Sequence, residues 1–193
     1  QVFQHKVVKI VSGNLHTVIL TADKQMYGIG CNKHNQLSFA GISMMEKTRI
    51  NEFVAGKHRA RDIGAGASST IFISEQGSLY LCGGTLAGDC GMVVDAKCTS
   101  HVVFKPKKPV GFDLPRMGRV FCGKYFTFLL GKSDESTNNK GLHASAYCEV
   151  YGTGGNDACE LGLPSQNSIR KFTNVDDLTQ FIVQKNDVYE LDD

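Results

Sequence analysis

Short apolar runs separated by glycines and polar turns fill most of this chain. "KVVKIV" at 6–11 is a short apolar run broken by lysines, "TVILT" at 17–21 is nearly solid, and "MYGIG" at 26–30 is interrupted by small residues. Short apolar runs of four to eight residues bounded by turn residues mark strands, and "SGNLHTVILT" at 12–21 reads as a half-buried strand entered through a glycine. The same succession recurs as "RDIGA" (61–65), "STIFIS" (69–74) and "LYLCG" (79–83), and again as "GRVFC" (118–122), "FTFLL" (126–130) and "VYGTG" (150–154).

The copies align residue by residue. Gly13, Gly66 and Gly123 stand at spacings of 53 and 57 residues. His16, Ser69 and Phe126 follow three positions later, then Thr17, Thr70 and Thr127. A polar turn, "TADKQ" or "SEQGS", leads to a strand whose tyrosines (Tyr27, Tyr80, Tyr151) and closing glycines (Gly30, Gly83, Gly154) also coincide. The first glycine of each copy permits a positive φ or a close backbone approach, the threonine opens the next strand, and the polar turn makes a hairpin.

Each period thus supplies three or four antiparallel strands, a sheet too small to cover its own faces. Stacking such sheets as propeller blades buries them. The pattern predicts an all-β chain, a partial β-propeller of three to four antiparallel blades in one repeat array. The units fall at about 1–56, 57–115 and 116–179, with the start of a fourth at 180–193, where Phe181 lies under Val8 and Asn186 under Gly13. Such an array does not close a ring of the usual four to eight blades. The expected completion is the rest of a longer chain, or another chain.

Composition narrows the class. Of 193 residues, 41% are hydrophobic and 21% charged, enough for a core. A net charge of +2 is too mild for a dedicated nucleic-acid binder. No apolar run is long enough to span a bilayer, and no membrane association is expected. The sequence opens on Gln1 without a signal-peptide pattern, which reads as a fragment or a processed chain. Seven scattered cysteines, none in C-x-x-C spacing, point to a reducing intracellular compartment, nuclear or cytoplasmic.

On these residues the chain resembles the regulator of chromosome condensation repeat family. Its first copy carries that family's Gly13, His16, Thr17, Leu20, Thr21, Tyr27, Gly30, Asn32, Gln36 and Leu37. The third carries Gly123, Thr127, Tyr151, Gly154, Asn156, Leu161 and Gly162, and the second Gly66, Thr70, Gly77, Tyr80, Gly83 and Gly91. The family's tryptophan is replaced by Ile29, Cys82 and Thr153, so the chain is a divergent member. Kelch and WD repeats are the runners-up: Gly83-Gly84 and Gly154-Gly155 resemble a kelch double glycine, but kelch blades also want tryptophan, and the Gly-x-x-His-Thr element favours the first family. The resemblance implies a propeller that binds proteins, and in members like the founding one, nucleotide exchange on the GTPase Ran.

Several segments invite a chemical reading. "GRVFCGKY" at 118–125 nearly spells a P-loop, but Tyr125 stands where magnesium needs Ser or Thr, and a strand follows instead of a helix. His16 reads as a packed residue with both nitrogens satisfied. Cys90, Cys98 and His101 are too widely spaced for an ordinary zinc site. "FKPKKPVGFDLPRMGR" at 104–119 reads as an extended connection between blades. Its Lys105, Lys107, Lys108, Arg116 and Arg119 are candidate contacts to phosphate, chromatin or a protein partner. The far end is acidic, through Asp176, Asp177, Asp187, Glu190, Asp192 and Asp193. The third hairpin carries a polar insertion at 131–147, a tolerated loop or a partner-binding finger.

No hydrolytic or redox constellation stands out, and no cofactor or metal is expected. The sequence reads as a non-catalytic interaction scaffold with specificity in the loops at 31–45, 84–111 and 131–147. The alternatives are an exchange factor for a Ran-like small GTPase, acting by preference for the nucleotide-free state, and a fixed subunit of a larger assembly. The residues expected to hold the repeat are Gly13, His16, Thr17, Tyr27, Gly30, Gly66, Thr70, Tyr80, Gly83, Gly123, Thr127, Tyr151 and Gly154.

Overall fold

The structure is a computed structural model and describes residues 6–38, 44–49, 59–84, 102–107, 116–132, 147–164 and 167–180. It contains three antiparallel sheets of four strands, each a meander. The first holds β1 (Val7–Ser12), β2 (His16–Thr21), β3 (Met26–Cys31) and β4 (Met44–Arg49). The second holds β5 (Ala60–Ala65), β6 (Ser69–Ser74), β7 (Leu79–Gly84) and β8 (Val102–Lys107). The third holds β9 (Met117–Cys122), β10 (Phe126–Lys132), β11 (Tyr147–Gly154) and β12 (Ile169–Asn174), followed by a helical turn at 176–180.

Register follows the repeat. His16 pairs with Gly30, Ser69 with Gly83 and Phe126 with Gly154, so the aligned positions lie side by side in each sheet. The turns between second and third strands match as well: Lys24 and Gly77, 53 residues apart, both take positive φ, at 66° and 81°.

Packing between sheets uses strand alternation. Val18, Leu20 and Met26 of sheet 1 meet Ala60, Ile63, Phe72 and Tyr80 of sheet 2 in one buried cluster. On the other face of sheet 2, Ile71, Ile73, Leu79 and Leu81 meet Met117, Val120 and Leu129 of sheet 3. The middle sheet is therefore covered on both sides, and all six residues of "STIFIS" are buried. Burying one such aliphatic or aromatic side chain stabilises by about 1.5–3 kcal/mol. In contrast β1, with nothing described on its far side, alternates half-buried and exposed.

Three expectations change. The segment 104–119 is not one connection between blades: β8 runs through Lys107 and β9 begins at Met117. Similarly, the stretches 31–45 and 84–111 contain the start of β4 and all of β8. Each fourth strand lies at the outer edge of its sheet. There Pro106 is tolerated, because an edge strand need not donate from every residue. Finally, positive φ falls to Gly30, Gly83 and Gly154, at 101°, 107° and 110°, and not to Gly13, Gly66 and Gly123; Gly13 meets the other expectation, a close backbone approach, against the Gly66 carbonyl. The proposed fourth unit, Gln180 apart, lies outside the described residues.

Candidate functional site: a row of rigid loop tips

The loops joining first to second strands are built alike. The amides of Gly13, Gly66 and Gly123 donate to the carbonyls of His16, Ser69 and Phe126 at 2.9, 3.0 and 2.8 Å. Glycine suits the position because the residue three places on folds back over it. A Cβ on Gly13 would strike the His16 ring and the Gly66 carbonyl, and one on Gly123 would strike the Phe126 ring. Opposite each tip, the residue after the positive-φ glycine clamps it: Cys31, Gly84 and Gly155 donate to the carbonyls of Leu15, Ser68 and Tyr125 at 2.7, 2.9 and 2.7 Å.

Neighbouring tips are also joined to each other. The Asn14 amide donates to the Ala67 carbonyl (3.3 Å), and the Ala67 amide to the Lys124 carbonyl (2.8 Å). These three residues occupy one repeat position, so a line of backbone hydrogen bonds runs from sheet to sheet. On this fixed backbone the side chains turn outward. Leu15 is 70% exposed and Tyr125 45%, with the Lys124 ammonium 4.8 Å from the tyrosine ring centre. A large apolar side chain held out by a hydrogen-bonded tip contributes little to the fold, and such groups are suited to anchoring a partner.

A second turn flanks the tips in sheets 1 and 3. Asn32 Oδ1 accepts from the Leu37 amide at 2.8 Å, and Asn156 Oδ1 from the Leu161 amide at 2.9 Å. Both asparagines are buried, and the following Asn35 and Cys159 take φ of 57° and 59°. The exposed Lys33, Asp157 and Glu160 lie on these turns.

The buried polar groups serve the frame. His16 Nε2 lies 3.1 Å from Thr70 Oγ1 of the next sheet. Its Nδ1 is buried without a partner, so the expectation of two satisfied nitrogens fails: that edge of the ring lies against Gly13, which has no side chain to offer it a donor or acceptor. Burial pulls the imidazole down to about 4, against a smaller opposing effect of the Ser69 backbone, so the ring is neutral near pH 7. Burial likewise pushes the Cys82 thiol up to about 11, outweighing hydrogen bonds from Ser38 and Thr70. It is an inert core residue. Lys9 Nζ and Asp62 Oδ1 form an ion pair at 2.7 Å, while Asp62 Oδ2 accepts from the Val120 amide at 2.8 Å, so one carboxylate ties all three sheets.

The other predicted residues distribute as follows. Thr17 is half-buried, Thr70 and Thr127 are fully buried, Tyr80 is packed between sheets 1 and 2, and Tyr27 and Tyr151 are half-buried. The basic residues fall on different elements. Lys105 and Lys107 sit on β8 at the outer edge of sheet 2, Arg119 is exposed on β9 at the opposite edge of sheet 3, and Arg116 is exposed just before it. Lys108, Cys90, Cys98, His101 and most of the insertion at 131–147 lie outside the described residues. Gly123-Lys124 leads into β10, so the near P-loop lacks the helix that phosphate binding requires. Among the described residues no group of His, Cys, Asp or Glu is arranged to hold a metal, and no helix is long and apolar enough to cross a membrane. Sequence reasoning missed Leu15 and Tyr125 because only the structure shows that the tips are clamped.

Comparison with known proteins places this geometry. Residues 7–36 match the family described as Regulator of chromosome condensation (RCC1) repeat. The human protein named Regulator of chromosome condensation is 36% identical over 89 residues, 38% of this chain and 21% of that protein. Its mouse namesake is 24% identical over 176 residues, covering 86% and 38%. Among solved structures, Prp20p from Saccharomyces cerevisiae has a TM-score of 0.67 at 21% identity, covering 88% of this chain and 38% of that one. Human WBSCR16 also has a TM-score of 0.67, at 20% identity, covering 90% and 41%. The chain spans well under half the length of each of these proteins. The three sheets are blades of a β-propeller, the fold of these solved structures, and in sequence the chain is similar to the regulator-of-chromosome-condensation repeat family, whose repeat matches residues 7–36.

Proposed function

We propose that this chain is a non-catalytic protein-binding scaffold whose partner engages the row of loop tips. The observation that carries this reading is the exposure of Leu15 and Tyr125 on tips whose backbone is clamped in both blades and tied between them through Ala67. Rigid aromatic and aliphatic anchors lose little freedom on binding. The exposed charges on the tips and their flanking turns are of both signs, Lys33 and Lys124 with Asp157 and Glu160, which suits a partner with a rim of mixed charge around an apolar pocket. Lys105, Lys107, Lys108, Arg116 and Arg119 are a secondary basic contact in this reading, open to chromatin or another acidic surface. Cys31, Cys82, Cys122 and Cys159 are free, in keeping with a reducing nuclear or cytoplasmic setting.

The test is binding by a Leu15→Asp/Tyr125→Asp variant. Partner retained by the wild-type chain is expected to be lost, with the β circular dichroism unchanged. Retention undiminished by both substitutions overturns the reading.

A second reading is nucleotide exchange on a Ran-like GTPase. It is favoured by the human relative at 36% identity and by the reported binding of Prp20p to Gsp1p and histones. Release of labelled nucleotide from a Ran-type GTPase accelerated by orders of magnitude would make exchange the leading function; no acceleration leaves the scaffold.

A further inference from the structure

Charge is not spread evenly over the three sheets. Their outer-edge strands, β4, β8 and β12, carry Lys47, Arg49, Lys105, Lys107, Arg170 and Lys171 against one carboxylate, Glu46. That leaves 15 of the 21 cations and 18 of the 19 carboxylates to the rest of the chain, so a net charge of +2 conceals a basic rim on a slightly acidic remainder. The rim also repeats in register. Each outer strand bulges at the same repeat position, opposite Ile29, Cys82 and Thr153, and each bulge contains a lysine. Lys47 lies between the paired Met45 and Thr48, Lys105 between Val103 and Lys107, and Lys171 between Ile169 and Thr173. Lys171 is exposed. These strands are the last of their own sheets, so their place at the rim does not depend on a neighbouring blade.

We propose that this rim binds an acidic protein segment, an extended run rich in Asp and Glu laid across the three outer strands. Edge charge of either sign keeps sheets from pairing side by side, so that need does not account for charge of one sign. Complementarity to an acidic partner does. The bulges break the edge ladder and Pro106 removes a donor, so the partner is held by side chains and does not add as a fifth strand. A nucleic-acid duplex fits less well. It is a uniform polyanion that would also meet the acidic remainder, including the exposed Asp176 and Asp177 just past β12. A short acidic segment confined to the rim avoids them. The rim and the row of tips lie on different elements, so neither reading rests on the other.

Fluorescence anisotropy of a labelled poly-glutamate peptide, titrated with the full chain at low and at moderate salt, tests the proposal. Binding should be saturable and should weaken as salt rises. Lys105→Glu/Lys171→Glu should weaken it by about tenfold or more, with unchanged circular dichroism. Lys6→Glu/Arg59→Glu makes the same change in net charge at exposed positions ahead of β1 and β5, at the opposite edges of their sheets, and should shift the affinity by less than about twofold. Absence of saturable binding, equal losses in the two charge-reversed pairs, or tighter binding of a DNA duplex than of the peptide would overturn it.

Discussion

His16 Nε2 lies 3.1 Å from Thr70 Oγ1, a buried side-chain contact joining the first blade to the second from the start of β2. The ring is 3% exposed and is held to about 4, below its ordinary 6.5. Between these values the unfolded chain binds a proton that the folded chain refuses, so stability rises with pH across the window. The contribution is complete above about 6.5 and is lost as pH falls to about 4, on the order of 3 kcal/mol in all. Replacement by phenylalanine, the residue blade 3 uses at this position, should flatten that slope. Urea unfolding of wild type and His16→Phe at steps between these pH values measures it; parallel curves would show that His16 does not titrate this way.

Asp62 faces a different test, because it bridges rather than packs. It is 4% exposed, with one oxygen on Lys9 Nζ and the other on the Val120 amide. Asp62→Ala strands a partly buried ammonium and an amide together, and should cost about 2–4 kcal/mol. Lys9→Met removes only one arm, from a side chain that is 29% exposed, and should cost about 1 kcal/mol or less. Denaturant midpoints rank the two; an equal cost would mean that the carboxylate acts through Lys9 alone.

How much of this was legible depended on what each position does. The first three strands of every blade could be read because their apolar runs end at glycines and polar turns, and the repeat multiplied a weak signal. The fourth strands escaped because "MMEKTR", "VVFKPK" and "IRKFTN" lie at sheet edges, where charge and proline are tolerated and the pattern fades. The Lys9–Asp62 pair left a faint trace: positions 9, 62 and 119 are charged in all three copies, in the middle of apolar strands. Without coordinates nothing showed which copies meet. The tips were harder still, since Leu15, Ser68 and Tyr125 share no chemistry and are united only by the clamp on their carbonyls.

That clamp gives a comparison between adjacent glycines. Gly154 has φ of 110°, and a Cβ there would collide with the Tyr125 carbonyl and approach Phe126 Cα to 2.6 Å. Gly155 has no such φ, and its Cβ would meet Tyr125 at 3.5 Å, an ordinary contact. Gly154→Ala should therefore cost about 2 kcal/mol or more, from a disfavoured backbone and a tip forced off its clamp. Gly155→Ala should be nearly neutral, because its amide still donates to the Tyr125 carbonyl. The same reasoning predicts similar losses for Gly30→Ala and Gly83→Ala, whose added Cβ would press on the Leu15 and Ser68 carbonyls. Thermal unfolding of the four variants decides the matter. If Gly155→Ala is as damaging as Gly154→Ala, the tip is not held by the geometry of the glycine before it.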